Sequence, residues 1–145
     1  MAYLLTLLLF TIRSIYEVIK FGADIVVSAH ASPIVGVVAF STAKLTRRPI
    51  LMGCPDWMSA YAAGLMSTGL NTIGPIFLQL IEFRLYRWSN GIVAATEFLA
   101  NLISKMGISR EKITVISNGV DINLFNPKVE VAEIKAKYRL QDRCV

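Results

Sequence analysis

Four short apolar runs, rich in β-branched residues, recur along the chain with helical patterns between them. At the start, Leu5, Leu8, Leu9, Ile12, Tyr16 and Ile19 fall on one stripe of helical period, with Arg13, Glu17 and Lys20 off it. Gly22 suits the end of that helix. Residues 24–27, Asp-Ile-Val-Val, then read as a buried strand. Ser32 and Pro33 form an N-cap and first-turn proline for a helix over "IVGVVAFSTAKL", whose Gly36, Ala39 and Ala43 make a small-residue side able to approach a sheet. Lys44, Arg47 and Arg48 crowd its C-terminal end, where cations are favoured, and Pro49 stops it. "ILMGC" is the second strand. Residues 55–75 are irregular and apolar, punctuated by Pro55, Gly64, Gly69, Gly74 and Pro75. A helix over 75–88 carries the stripe Phe77, Ile81, Leu85 and Trp88, and Asn90-Gly91 turns the chain. "IVAAT", a Thr96-capped helix "EFLANLISKM" ended by Gly107, and "KITVIS" complete the pattern.

Strands alternating with helices predict an α/β fold, with a Rossmann-like parallel sheet of about four strands and flanking helices. Strand centres fall near Val26, Leu51, Val93 and Val115. Ligands of such sheets meet the carboxyl ends of the strands. Those ends are His30–Ser32, Cys54–Trp57, Thr96–Glu97 and Ser117–Asp121, so polar residues gather at one edge of an otherwise apolar molecule.

Composition narrows the function classes. Apolar residues make up 54% of the 145 and charged residues 17%, too apolar for disorder and richer in core-type residues than an ordinary domain. The net charge of +5 comes from scattered Lys and Arg, the clearest groups being Arg47-Arg48 and Arg84/Arg87. No basic arm or aromatic-basic motif points to nucleic acid; attraction to an anionic membrane surface is the milder reading. Cys54 and Cys144 have no metal or redox spacing, which fits a reducing compartment, and no metal site is expected. The opening "MAYLLTLLLFTI" lacks a positive n-region and a cleavage site, and Arg13 arrives too early for a spanning segment of about 20 residues, so a buried or membrane-touching amphipathic helix is expected instead. No P-loop, dinucleotide fingerprint or nucleophile elbow occurs.

"KITVISNGVDINLFNP" resembles the signature that closes the N-terminal domain of family 4-like glycosyltransferases of GT-B fold. The preceding pieces come in the family's order. "ADIVVSAHASPIVGVVAFSTAKLTRRPIL" is similar to its strand-helix-strand unit. "PDWMSAYAAGLMSTG" looks like a shortened form of the loop found in exopolysaccharide and O-antigen transferases, and "LYRWSNGIVAATEFLANLISKMGISREKI" resembles the helix, strand and helix before the signature. The loop departs from the family at Pro55, where His or Arg is usual, and lacks one residue before Trp57. The resemblance covers roughly residues 3 to 143 and implies an internal piece: residues 1–126 as a partial N-terminal, acceptor-side domain and 127–145 as lead-in to a donor-binding domain.

By that resemblance the parent reaction moves a sugar from a nucleotide donor to a hydroxyl, with retention, on a glycan or polyprenyl-linked acceptor at the cytoplasmic face of the cell membrane. The nucleotide sugar belongs to the complete enzyme, so no cofactor and no catalysis are expected of this chain alone; the catalytic residues are left open. A non-catalytic acceptor-binding subunit partnering a separate donor-binding chain, half of a GT-B sugar-nucleotide epimerase, and a small membrane protein built on the first helix and the 58–81 loop are the alternatives. Candidate cleft residues are Asp56, Trp57, Asn118, Gly119, Asp121, His30, Thr96 and Glu97. Asp56 matches the carboxylate of the family loop and is suited to accept from a sugar hydroxyl. Trp57 can stack on a sugar or pack inward. Asn118 is expected to line the interdomain cleft, with Gly119 supplying a positive φ; the competing reading is a plain turn, with Asp121 capping the next one. The lone histidine, His30, and the pair Thr96-Glu97 are each explicable as structural residues, the latter as helix cap and first-turn acid.

Overall fold

The computed structural model describes residues 2–57, 73–125 and 132–139. In chain order these form α1 (Ala2–Phe21), β1 (Val26–Ser28), α2 (Val35–Thr46), β2 (Ile50–Cys54), α3 (Ile73–Trp88), β3 (Gly91–Ala94), α4 (Glu97–Lys105), a 3-10 turn (Arg110–Lys112), β4 (Ile113–Val115) and α5 (Ala132–Tyr138). The strands make one sheet in the order β1-β2-β3-β4, every pair parallel. This is the expected α/β, parallel four-strand architecture, and all four anticipated strand centres lie inside strands. The irregular segment expected over 55–75 lies largely outside the described residues, and Ile73 to Pro75 already belong to α3.

The helix ends obey local chemistry. The hydroxyl of Ser32 accepts from the Val35 amide at 3.1 Å and so covers an orphan donor at the start of α2. Gly22 ends α1 with φ +61°, its amide reaching back to Ile19 and that of Ala23 to Val18. The end of α2 is less expected. Arg47 adopts the left-handed conformation at φ 55°, a position where glycine is the usual occupant. Its amide and that of Arg48 return to the carbonyls of Lys44 and Ala43, so the helix is already closed before Pro49.

Register decides what each sheet face carries. Ser28, Met52, Ile92 and Ile113 form one row, and Cys54, Ala94 and Val115 another, on the same face. Most of these are fully buried, and they share a core with Ala43 of α2, Leu85 and Tyr86 of α3, and Leu99, Ala100 and Ile103 of α4. Among the described residues α2, α3 and α4 therefore cover a single face. Each fully buried aliphatic chain there contributes roughly 1.5–3 kcal/mol. The opposite rows, Val27–Leu51–Gly91 and Gly53–Val93–Thr114, face outward, and Val27 is 66% exposed. Strand β2 is also held at its first residue. The Asn90 side-chain oxygen accepts from the Ile50 amide at 2.9 Å, while the Asn90 amide donates to the Ile50 carbonyl at 2.9 Å. Asn90 thus does more than turn the chain: it pins β2 across forty positions of sequence.

Of the two expected helix stripes, that of α1 is turned outward, which leaves out the buried one of its two anticipated forms, and that of α3 is only half buried. The stripe of α1 does not face inward: Leu5, Leu8, Leu9, Ile12, Tyr16 and Ile19 are all exposed, while Leu7, Ser14, Ile15 and Val18 are partly covered on a helix that packs against α2. Among the described residues no helix is long and apolar enough to cross a membrane. In α3 the expected stripe is only half buried. Leu85 is enclosed and Ile81 partly so, but Phe77 and Trp88 are exposed, and Glu82 and Tyr86 go into the core instead. The Tyr86 hydroxyl donates to Glu82 Oε1 at 3.3 Å, which makes that burial tolerable.

Two outcomes test this packing. A Cβ at Gly53 would overlap the Ala29 carbonyl where the chain leaving β1 crosses over β2. Gly53→Ala should therefore destabilise the fold by about 1–3 kcal/mol, read as a shift in the denaturant midpoint. Cys54 sits at the buried end of β2, where desolvation pushes its thiol up, aided by the nearby charges of Glu82 and Asp56 and only partly opposed by the neighbouring Tyr86 hydroxyl. The thiolate is scarce at neutral pH, so in the folded chain Cys54 should react with iodoacetamide much more slowly than it does in urea. The rate should climb only above the ordinary thiol range.

Candidate functional site

Because all four strands run parallel, their carboxyl ends emerge together, and the expected polar edge exists. What it contains differs residue by residue. A shallow cavity of about 150 Å³ lies over the ends of β2 and β3, lined by Ala29, Gly53, Cys54, Pro55, Val93, Ala95, Ile116 and Asn118. The missing side chain of Gly53 lets the Ala29 backbone approach closely there. Of the eight candidate residues, Asn118 alone lines this cavity. It reaches the site because β4 ends at Val115 and the chain continues past the Ile116 amide, which still bonds to the Ala94 carbonyl at 2.9 Å.

Asp56 is exposed at the same edge, one residue beyond the Pro55 that lines the cavity. Its backbone carbonyl accepts from the Cys54 thiol at 3.4 Å, an arrangement that fixes the turn after β2. Trp57 is partly buried and packs against the core cluster, which is the inward one of its two anticipated roles.

Asp121 has a definite structural task. Its Oδ1 accepts from the amides of Asn123 at 2.9 Å and Leu124 at 3.4 Å, and the Phe125 amide returns to its carbonyl at 2.8 Å. It caps the adjoining turn, as the competing reading held. The expectation for Gly119 is corrected: it does not adopt a positive φ, and a Cβ there would meet nothing within 4 Å. The chain leaves β4 in the ordinary backbone region, and its reversal comes later, at the turn over residues 122–124 that Asp121 caps.

At the end of β3, Thr96 accepts from the Leu99 amide at 3.2 Å and caps α4. Glu97 receives both its oxygens' contacts from Arg110, at 3.2 and 3.0 Å, and Arg110 also donates to the Ile113 carbonyl at 2.6 Å. This exposed ion pair clips α4 to the entry of β4; pairs of this kind contribute little net stability. His30 is partly buried, with Nδ1 enclosed and without a hydrogen-bond partner among the described residues, beside a turn in which the Ser28 hydroxyl donates to the His30 carbonyl at 3.0 Å. Among the described residues no group of three or more His, Cys, Asp or Glu is placed to hold a metal ion.

Pocket-lining residues that sequence reasoning passed over carry no polar side chain: Ala29, Gly53, Val93, Ala95 and Ile116. For Ala29, Gly53 and Ala95 the signal was present only as glycine and alanine at strand ends, where close backbone approach is the use for such residues. The cavity is thus a floor of small residues with one amide, Asn118, and one exposed carboxylate neighbour, Asp56. It can accept a ligand's hydroxyls by hydrogen bonding.

The crystal structure of Anabaena HepE in complex with UDP and glucose shares this fold, with a TM-score of 0.58 at 16% identity over 86% of the present chain. The chain spans 31% of the length of HepE. No curated protein sequence matches it. The model of Glycosyltransferase Family 4 matches residues 2–124, which takes in every strand and all four strand-end segments described above. The chain belongs to glycosyltransferase family 4.

Proposed function

We propose that this chain provides acceptor-side structure for a retaining sugar transfer from a nucleotide sugar to a hydroxyl, on a lipid-linked glycan of cell-surface polysaccharide synthesis. The observation that carries this reading is the cavity at the strand carboxyl ends, where Asn118 lines a floor of small residues and Asp56 stands alongside. Ligands of open parallel sheets bind at that edge. The Asn118 amide carries both a donor and an acceptor, and so can fix one acceptor hydroxyl in a single orientation. In a retaining transfer the acceptor oxygen bonds to the anomeric carbon on the face from which the nucleotide's phosphate oxygen departs, and that departing oxygen takes the hydroxyl's proton. The Asp56 carboxylate can orient the hydroxyl by accepting a hydrogen bond from a neighbouring hydroxyl of the acceptor. HepE was crystallised with UDP and glucose, which supports a nucleotide-sugar donor.

In this reading residues 1–126 are part of the acceptor-side domain, and 127–145, with α5, lead toward a donor-binding domain in the same or a separate chain. Trp57, packed on the core, braces the Asp56 loop. Asp121 shapes the turn beyond the cleft, and Gly119 keeps the Asn118 peptide unobstructed. His30, Thr96 and Glu97 border the edge without reaching the cavity. The work is placed at the cytoplasmic face of the cell membrane, and the exposed apolar stripe of α1, beside Arg13 and Lys20, suits contact with an anionic surface.

The test joins this sequence to the remainder of a family 4 transferase and measures nucleotide release. Asn118→Ala and Asp56→Ala should each lower turnover tenfold or more, equivalent to about 1.4 kcal/mol of transition-state stabilisation, with the unfolding temperature unchanged. Asp121→Ala should do the reverse, costing about 1 kcal/mol of stability through its lost cap while leaving the chemistry nearly intact. Full turnover in Asn118→Ala would sink the assignment.

A further inference from the structure

The helical layer holds a second pair of cavities that the strand-end site does not use. Between α2 and α3 lies one of about 420 Å³, lined by apolar side chains including Phe40, Phe77, Leu80 and Trp88, with Arg84 its one charged lining residue. That volume is within the roughly 300–1,000 Å³ of small-ligand pockets. A smaller cavity of about 290 Å³ is lined by Arg84, Arg87 and Trp88. The two share Arg84 and Trp88 in their lining, so the apolar trough and the cavity with both guanidinium groups adjoin across these two side chains.

Among the described residues the charges there lack acidic partners. Neither Arg84 nor Arg87 forms an ion pair among the described residues, and no acidic residue lines either cavity. Arg84 is stacked over the Trp88 ring at 5.7 Å, and Lys44 adds a third cation over Phe40 at 5.3 Å. Phe77, Leu80 and Trp88 are each more than half exposed. An independent observation points the same way. α1, which packs on α2, also turns its apolar stripe to solvent, with Arg13 and Lys20 both over the Tyr16 ring. Amphipathic aromatics flanked by cations on an apolar surface are the chemistry of a membrane interface.

We propose that the α2–α3 groove takes one acyl chain of an anionic membrane lipid, with the lipid phosphate held between Arg84 and Arg87. Guanidinium groups bind phosphate through paired, charge-assisted hydrogen bonds, and the apolar trough supplies burial for the chain. Trp88 lies just before Gly91, where β3 begins, so the headgroup site is at the opposite edge of the sheet from Asn118. The inference rests on the membrane-surface part of the proposed function and on none of its chemistry.

The chain has two tryptophans, Trp57 and Trp88, so Trp57→Phe leaves Trp88 as the only indole reporter. This variant of the full chain is mixed with phosphatidylcholine vesicles brominated on their acyl chains, with or without phosphatidic acid, and the bound fraction is measured by co-sedimentation. With phosphatidic acid, the emission of bound protein should fall to half or less of its value with unbrominated vesicles of the same headgroups. Without phosphatidic acid, little quenching should occur. Arg84→Gln with Arg87→Gln, checked for folding by far-UV circular dichroism, should remove most of the quenching. Sedimentation without quenching would mean that α1 touches the membrane and the groove stays empty, which overturns the proposal. Equal quenching in both vesicle types, unchanged quenching in the double variant, or no sedimentation overturns it too. If the double variant fails to fold, the comparison of the two vesicle types decides. A chain that loses Trp88 quenching yet transfers sugar normally when completed, or the reverse, separates this inference from the acceptor-site reading.

Discussion

Parallel strands taken in the order of the chain leave little freedom. Each connection must cross from the end of one strand to the start of its neighbour, and crossovers of one hand all land on one side. Here that side is occupied by α2, α3 and α4, whose Ala43, Leu85, Tyr86, Leu99 and Ile103 meet Ile50, Met52, Ile92 and Ile113 in a single core. The consequences run through the whole molecule. The polar strand ends are collected at one edge, the outward rows around Val27 and Val93 have no helix over them among the described residues, and α1 packs on α2. Parallel sheets in α/β proteins are ordinarily covered on both faces. Among the described residues helices cover one face here, and apolar side chains of the other face such as Val27 stay exposed.

The elements were legible because their signals are local. β-branched residues, a threonine cap before α4 and glycines after α1 and α4 each say what they mean within a few residues, while α2 starts later than expected, with Ile34 at its N-cap and the Ser32 hydroxyl on the Val35 amide. Direction was not legible. The α1 stripe is a genuine helical period, but periodicity alone cannot tell a face turned to the core from one turned outward, and the structure turns Leu5, Leu9 and Ile12 to solvent. The same limit applies to α3, where Phe77 and Trp88 continue the apolar period while Glu82 and Tyr86 are the residues enclosed. A glutamate in the core has no sequence signal. Part of its burial is met by a tyrosine one turn away whose hydroxyl donates to it.

For the candidate site, position was readable and role was not. Topology places every strand end at one edge, so Asp56, Thr96, Asn118 and Asp121 were bound to be neighbours of that edge. Which of them is spoken for depends on hydrogen bonds a few residues long. Thr96 serves α4, Glu97 is clipped by Arg110, and Asp121 serves its own turn, which leaves Asn118 beside the cavity and Asp56 exposed. The Asn-Gly pair at 118–119 suggested a left-handed glycine, yet the turn residues proper lie three positions on. The cavity floor was invisible in advance because it is made by what Gly53 lacks rather than by any reactive group.

The chain contains two Asn-Gly pairs, at 90–91 and 118–119, and the fold treats them differently. Asn-Gly is chemically the most perishable dipeptide of a protein: the glycine nitrogen can attack the asparagine side-chain carbonyl, expel ammonia and leave an aspartate or an isomerised backbone. At Asn90 that carbonyl oxygen is engaged by the Ile50 amide, and the next residue is already within the sheet, so the atoms are held out of line for attack. At Asn118 the backbone is exposed, the glycine is outside any strand, and nothing encumbers it. Spontaneous ageing would spare the scaffold and fall on the cavity, exchanging a neutral amide for a carboxylate close to Asp56. The same openness that lets Asn118 meet a ligand makes it the molecule's clock.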